Sequence, residues 1–408
     1  MKKALSLLLV SALTFGTAAA LPQDSSLPKT AITAQAVTVI DSGENDEYKY
    51  DIVATFVPKY GGNLHGIRIT KYKGKAAAVV IPDKMDGYYV CEIGEKAFQN
   101  KTKLTSITLP KYMKIIDNLA FDGCTALTEV NLPTELQQFG YGVFQDCKHL
   151  VGISLPDSLE HLGSDGLFNN CIRLEKVKLP KNLKQIDSGA FERCKALKTI
   201  DIPESVTKIQ GNAFQGTALE SITIPKNVTE IGIGAFWNCT KLKSIDIPAS
   251  VKTLKYYAFD KCTSLSSVTL HSGLETIEYE TFIDCKKLKE ITIPKSVTAI
   301  GKHAFGFYKD GQDYVKVSGA VIKGYKGSAA EEYAKKYKIK FIALSDAGDV
   351  NDDGAVDIKD VTVLKQYLAN WKVTVNKESA DVNDDGSVDI KDLTILKQYL
   401  ANWNVVLV

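Results

Sequence analysis

The sequence predicts a β-rich solenoid of stacked coils followed by a small all-α domain. Two observations carry this. Phenylalanine recurs at Phe98, Phe121, Phe144, Phe168, Phe191, Phe214, Phe236, Phe259, Phe282 and Phe305, at steps of 22 to 24 residues. A period in the low twenties means coils that bury their apolar sides only against their neighbours. Near the C-terminus, residues 349–371 return as residues 381–403 with three differences, each copy an acidic loop followed by a helical pattern.

In chain order, Met1, Lys2 and Lys3 precede an apolar run from Ala4 to about Phe15 and then small residues. Residues 1–20 therefore read as a secretory signal peptide, too short to span a bilayer. Ala20 is the preferred cleavage point and Ala36 a second candidate. No other run is apolar and long enough to cross a membrane, so the mature chain is expected to be soluble and extracellular. The formal net charge of +2 and the lack of a Lys/Arg run argue against a nucleic-acid partner. Residues 21–45 are polar and aperiodic and read as a flexible lead. Residues 46–95 contain alternations such as Tyr50, Ile52, Ala54 and Phe56, then Ile67 and Ile69, expected as short strands of an N-terminal β cap.

The solenoid is placed at residues 96–311. One full repeat runs Ile186, Ala190, Phe191, Cys194, Leu197, Ile200, Ile202, Pro203, Val206, Ile209. Alternation sends Ile200 and Ile202 inward and Thr199 and Asp201 outward, and Pro ends the strand because it cannot donate to the ladder. Leu-x-x-Ile-x-Ile is the leucine-rich-repeat strand signature, and the block resembles the BspA-like leucine-rich repeats of bacterial surface proteins. Cys124, Cys147, Cys171, Cys194, Cys239, Cys262 and Cys285 share one repeat position, which Thr217 fills in another coil. Stacked equivalents sit about 4.8 Å apart, too far for unstrained disulfides, so these thiols are expected to be reduced and buried.

Residues 312–344 break the period and are expected to cap the last coil, with a helix opened by a capping box of Ser328 and Glu331. The five histidines, His65, His149, His161, His271 and His303, share no repeat position, and no nucleophile motif occurs. No catalytic residues are assigned. Outward strand residues such as Thr199, Asp201, Thr223 and Asp246 make a small, polar sheet face. Aromatics collect at another edge, where Trp237, Tyr256, Tyr257 and Tyr279 form a possible ligand patch. Tyr256 and Tyr279 share a repeat position and are expected to stack.

In the C-terminal pair, Asp349, Asn351, Asp353, Asp357 and Asp360 fall at loop positions 1, 3, 5, 9 and 12, with Gly354 at position 6. Asp381, Asn383, Asp385, Asp389, Asp392 and Gly386 repeat the pattern. Several hard oxygens around a sharp glycine turn suit calcium. Position 12 is Asp rather than Glu, and no apolar helix precedes Asp349. These features and the duplication resemble the dockerin family over residues 346–408. The resemblance implies two Ca2+ ions, with Ala355 and Ser387 completing the ligand sets at position 7. It also implies a cohesin partner on a scaffold protein. By the same resemblance the cohesin contacts are Ile358, Lys359, Lys365 and Gln366, repeated as Ile390, Lys391, Lys397 and Gln398.

The whole chain thus reads as a secreted, non-catalytic component of a cellulosome-type complex, presenting its solenoid to a protein, cell-surface or polysaccharide ligand. An enzyme with an unrecognised site on the solenoid, or a purely structural spacer, are the alternatives.

Overall fold

The computed structural model describes residues 38–57, 62–344, 347–383, 385–401 and 407. The signal peptide, the cleavage candidates Ala20 and Ala36 and the lead up to residue 37 lie outside the described residues. Residues 39–44, placed with the lead in the sequence reading, instead form strand β1 (Val39–Glu44). This pairs antiparallel with β2 (Tyr48–Val57), which pairs with β3 (Gly62–Tyr72). The alternation that would have revealed β1 is absent because nearly every one of its residues is exposed.

From β3 onward the chain winds into parallel coils. On one side, two-residue strands such as Gln185–Ile186, Lys208–Ile209 and Glu230–Ile231 pair in register, and each buries its second residue. On the other side lie the strands seen in sequence, including Ser106–Thr108, Glu129–Asn131 and Ser244–Ile247. This second sheet is broken into pieces. Residues 199–202 and 221–224 form no regular strand, although Ile200 and Ile224 are buried. Strand 129–131 pairs with 106–108, and 152–154 pairs with 176–178, but those two groups belong to separate sheets.

The recurrent phenylalanines form a stack between the sheets. Neighbouring rings from Phe98 to Phe282 lie 5.2–5.7 Å apart, centroid to centroid. Offset stacking at this spacing adds to the burial of each ring. Tyr72 heads the stack, 4.9 Å from Phe98. Two residues after these phenylalanines the backbone turns left-handed, at Asn100, Asp146, Asn170, Arg193, Asn238, Lys261 and Asp284. Asn, Asp and Gly tolerate this conformation, which explains their prevalence there.

All eight cysteines are free and buried. Each repeat thiol donates to the carbonyl of the phenylalanine one coil earlier, as in Cys124 to Phe98 at 3.1 Å and Cys194 to Phe168 at 3.2 Å. Thr217 instead bonds the carbonyl of Phe214 in its own coil, at 2.9 Å. Burial pushes the Cys124 thiol up to about 12.

Beyond Phe305, the last of the recurrent phenylalanines, a hairpin of Phe307–Asp310 and Asp313–Lys316 precedes strands Val321–Gly324 and Lys340–Ala343, which extend the sheet from Glu290–Thr292. Helix α1 (Ala329–Tyr337) lies between them and buries Ala330, Tyr333 and Ala334. Ser328 is its N-cap, but the expected capping box does not form. The Ser328 hydroxyl donates to the Tyr325 carbonyl, and Glu331 accepts from the Gly327 amide.

The C-terminal module contains α2 (Ile358–Leu368), a short α3 (Lys377–Ala380) and α4 (Ile390–Leu400). Leu364 and Leu396 are fully buried in its own core with Val350, Val361, Ala380 and Leu393. Among the described residues no helix is long and apolar enough to cross a membrane.

Candidate functional site

The two acidic loops fold alike. Asp349 accepts hydrogen bonds from the amides of Asp353 and Gly354, both at 3.0 Å, and Asp381 does the same for Asp385 and Gly386 at 3.1 and 2.8 Å. Gly354 and Gly386 both sit at φ +85, the left-handed conformation that lets the loop reverse. Loop positions 9 and 12 have a second task that the sequence reading missed. Asp357 caps α2 and Asp360 at its third position bonds back to the Asp357 amide, a reciprocal capping box that Asp389 and Asp392 repeat on α4. The signal was present: an Asp preceding a helical pattern, with an acid three residues on.

The carboxylates of Asp360 and Asp392 are fully buried and Asp349 is nearly so. Burial, with the facing charge of other loop acids, raises Asp349 and Asp360 above the usual carboxylate range. Lys359 offsets part of the charge on Asp353 and Asp357, and Lys391 that on Asp385 and Asp389, from outside. Among the described residues no three His, Cys, Asp or Glu side chains gather as a preassembled metal cluster. The donor set nevertheless fits calcium in kind: hard oxygens only, buried carboxylates without a buried cation, and a glycine reversal. Asp349, Asn351, Asp353, Asp357 and Asp360 would hold one ion and their counterparts the other, with Ala355 and Ser387 at position 7.

The residues expected to meet cohesin form two matching surfaces. Ile358 and Ile390 are 70% and 65% exposed although aliphatic. Lys359, Lys365, Lys391 and Lys397 are exposed beside them, and Gln366 and Gln398 are half-buried. Trp371, which the sequence reading passed over, is 62% exposed after α2.

On the solenoid the aromatic patch is only partly as expected. Tyr256 and Tyr279 meet edge-on, at 6.3 Å and 68°, and do not stack. Tyr257 packs against Tyr279 edge-on at 5.5 Å and partly into the core. Glu280 is fully buried beside Tyr279. It forms an ion pair with Lys309 at 2.7 Å and accepts from the Tyr314 hydroxyl. These partners come from the hairpin after the last coil, so sequence spacing could not show them. Hydrogen bonding to Glu280 raises Tyr279 to about 12, and burial does the same for Tyr257. Trp237 makes no ring contact with the tyrosines among the described residues, and Lys261 lies over it at 5.5 Å. The polar sheet face instead holds a depression of about 670 Å³ lined by Glu129, Asn131, Gly152, Ser154, Asp157 and Lys178. It opens where the sheet is interrupted and Gly152 contributes no side chain.

A family model for the BspA type leucine rich repeat region matches residues 91–220 and 207–311, with six copies, and one for the dockerin type I domain matches residues 347–401. Similar solved structures include a leucine rich cell surface protein from Faecalibacterium prausnitzii, 25% identical over 69% of this chain and 88% of that one, with a TM-score of 0.47. The leucine rich repeat protein of T. pallidum is 27% identical over 61% and 91%, with a TM-score of 0.33. A leucine-rich repeat protein from Bacteroides ovatus is 21% identical over 74% and 100%, with a TM-score of 0.40. None of the curated proteins matches.

Proposed function

Because the chain belongs to the BspA type leucine rich repeat family and ends in a dockerin type I domain, we propose that it is a secreted, non-catalytic component of a cellulosome-type complex. Both domain types are non-catalytic, dockerins bind calcium, and a dockerin implies a cohesin partner. The reading is that two Ca2+ ions order the loops and that α2 and α4 then present the plug to a cohesin module. The solenoid is carried along as an arm for a protein, cell-surface or polysaccharide ligand.

The observation that supports this most is the pair of exposed isoleucines, Ile358 and Ile390, at matching places beside buried carboxylates. Exposed aliphatics rimmed by lysines suit a docking surface.

The test is calorimetry of the full chain with calcium, followed by titration against a panel of cohesin modules in calcium and in chelator. Two calcium ions per chain and calcium-dependent cohesin binding are expected. Cohesin binding that survives chelator, or no calcium uptake, would overturn the reading. Screening the same chain on polysaccharides and peptides addresses the enzymatic alternative.

A further inference from the structure

The two acidic loops are near copies in sequence but not in surroundings. Asp352, at position 4 of the first loop, forms an ion pair with Lys295 of the solenoid at 2.5 Å. The same carboxylate oxygen accepts from Asn376 at 3.4 Å. A side chain at Gly354 would meet Ser272 of the solenoid at 3.4 Å, whereas one at Gly386, the same position in the second loop, would meet nothing within 4 Å among the described residues. Asp349 is 2% exposed, whereas its counterpart Asp381 is half-buried.

The two solenoid residues are themselves equivalent. Ser272 follows His271 and Lys295 follows Pro294, 23 residues apart, at equivalent places shortly beyond the sheet-face strands Ser267–Leu270 and Glu290–Thr292 on adjacent coils. Gly273 donates to the Ser296 hydroxyl at 3.1 Å and ties these two turns together. The edge therefore presents one small residue and one cation, side by side, to the loop.

We propose that this edge is a seat for the chain's own first loop, formed when that loop is loaded with its cation, so that the two loops have different tasks. The inference rests on the calcium reading above. Asp352 stands at φ +59 between Asn351 and Asp353, both in the ligand set. Its direction is fixed only when the loop around it is fixed. Without a cation, the carboxylates of Asp349, Asp353, Asp357 and Asp360 repel one another and the loop loosens. With it, Asp352 is held toward Lys295 and Gly354 lies against Ser272. Binding in the first loop and seating on the solenoid thus favour each other. The second loop, whose Gly386 has no solenoid neighbour among the described residues, would load without changing how the plug is held. An exposed ion pair is weak, roughly 0–1 kcal/mol, so the seat would set an orientation and would release readily.

The test uses the native pair. A carbodiimide joins a lysine amine to a carboxylate in contact with it as an amide, with loss of water. Mass spectrometry then reads a Lys295–Asp352 cross-link in the full chain. The cross-link is expected in calcium, lost in chelator, lost in Asp349→Asn and retained in Asp381→Asn. Absence in calcium, persistence in chelator, or equal loss in both variants would overturn the proposal. Calorimetry on the same samples separates the two readings. Calcium uptake without the cross-link refutes the seat alone, and no uptake refutes the calcium reading.

Discussion

The thiol of Cys171 donates to the carbonyl oxygen of Phe144, one coil earlier, at 3.0 Å. The same bond recurs at the other repeat cysteines, so sulfur adds a second bond to a buried carbonyl that already accepts the backbone amide three residues on, as Phe144 does from Cys147 at 3.2 Å. Cys171→Ala is expected to cost about 1–3 kcal/mol through the lost bond and the cavity, measured by denaturant unfolding. Thiol reagent should label native protein slowly and denatured protein rapidly. A non-reducing peptide map showing bridges would contradict this.

Arg193 takes the left-handed conformation that Asn or Asp holds in several other coils. A residue with a long side chain is strained there by roughly 1 kcal/mol. Its ion pair with Glu192, 3.4 Å long and at the surface, offsets little. Arg193→Asn should therefore raise the unfolding free energy by roughly 0.5–1 kcal/mol. An unchanged or lower melting temperature would count against the strain argument.

Asp260 is buried beside the phenylalanine stack, its Oδ1 has no hydrogen-bond partner among the described residues, and burial pushes it up to about 7. Between the ordinary carboxylate value and pH 7, the folded state holds a proton that the unfolded state has released. Stability from this group therefore falls as pH rises through that window. Asp260→Asn should match the parent near pH 4 and exceed it by at least about 1 kcal/mol above pH 7. Melting curves from pH 4 to 8 check the sign, and a constant difference across that range would refute it.

The two surfaces proposed to meet cohesin carry the same side chains in the same exposure, so either half should dock, in orientations related by about a half turn. Changing Ile358, Lys359, Lys365 and Gln366 alone should leave cohesin affinity within a few-fold. Changing Ile390, Lys391, Lys397 and Gln398 as well should abolish it. Calorimetry decides, and complete loss from one set would exclude dual docking.

For the solenoid ligand, Tyr256 is the patch residue left most open, at 44% exposed. Once a partner is captured, Tyr256→Ala with Tyr279→Ala should weaken binding by roughly tenfold, about 1.4 kcal/mol. Intact affinity, with loss from Asn131, Ser154 and Lys178 substitutions, would place the ligand in the sheet-face depression instead.

The sequence by itself determined what repeats: the phenylalanine period, the cysteine slot and the paired acidic loops. Each is a local requirement that recurs from copy to copy, so it is written at fixed spacing. Tertiary structure decided what occurs once. Glu280 meets Lys309 and Tyr314 only because the chain folds a hairpin back over its last coils, and Tyr256 meets Tyr279 edge-on. Tyr72 caps the phenylalanine stack from a β-strand outside the repeat. Lys295 reaches Asp352 across 57 residues, and that contact distinguishes two loops that their own residues leave alike. Contacts between distant segments leave no period to read, because nothing requires them to recur.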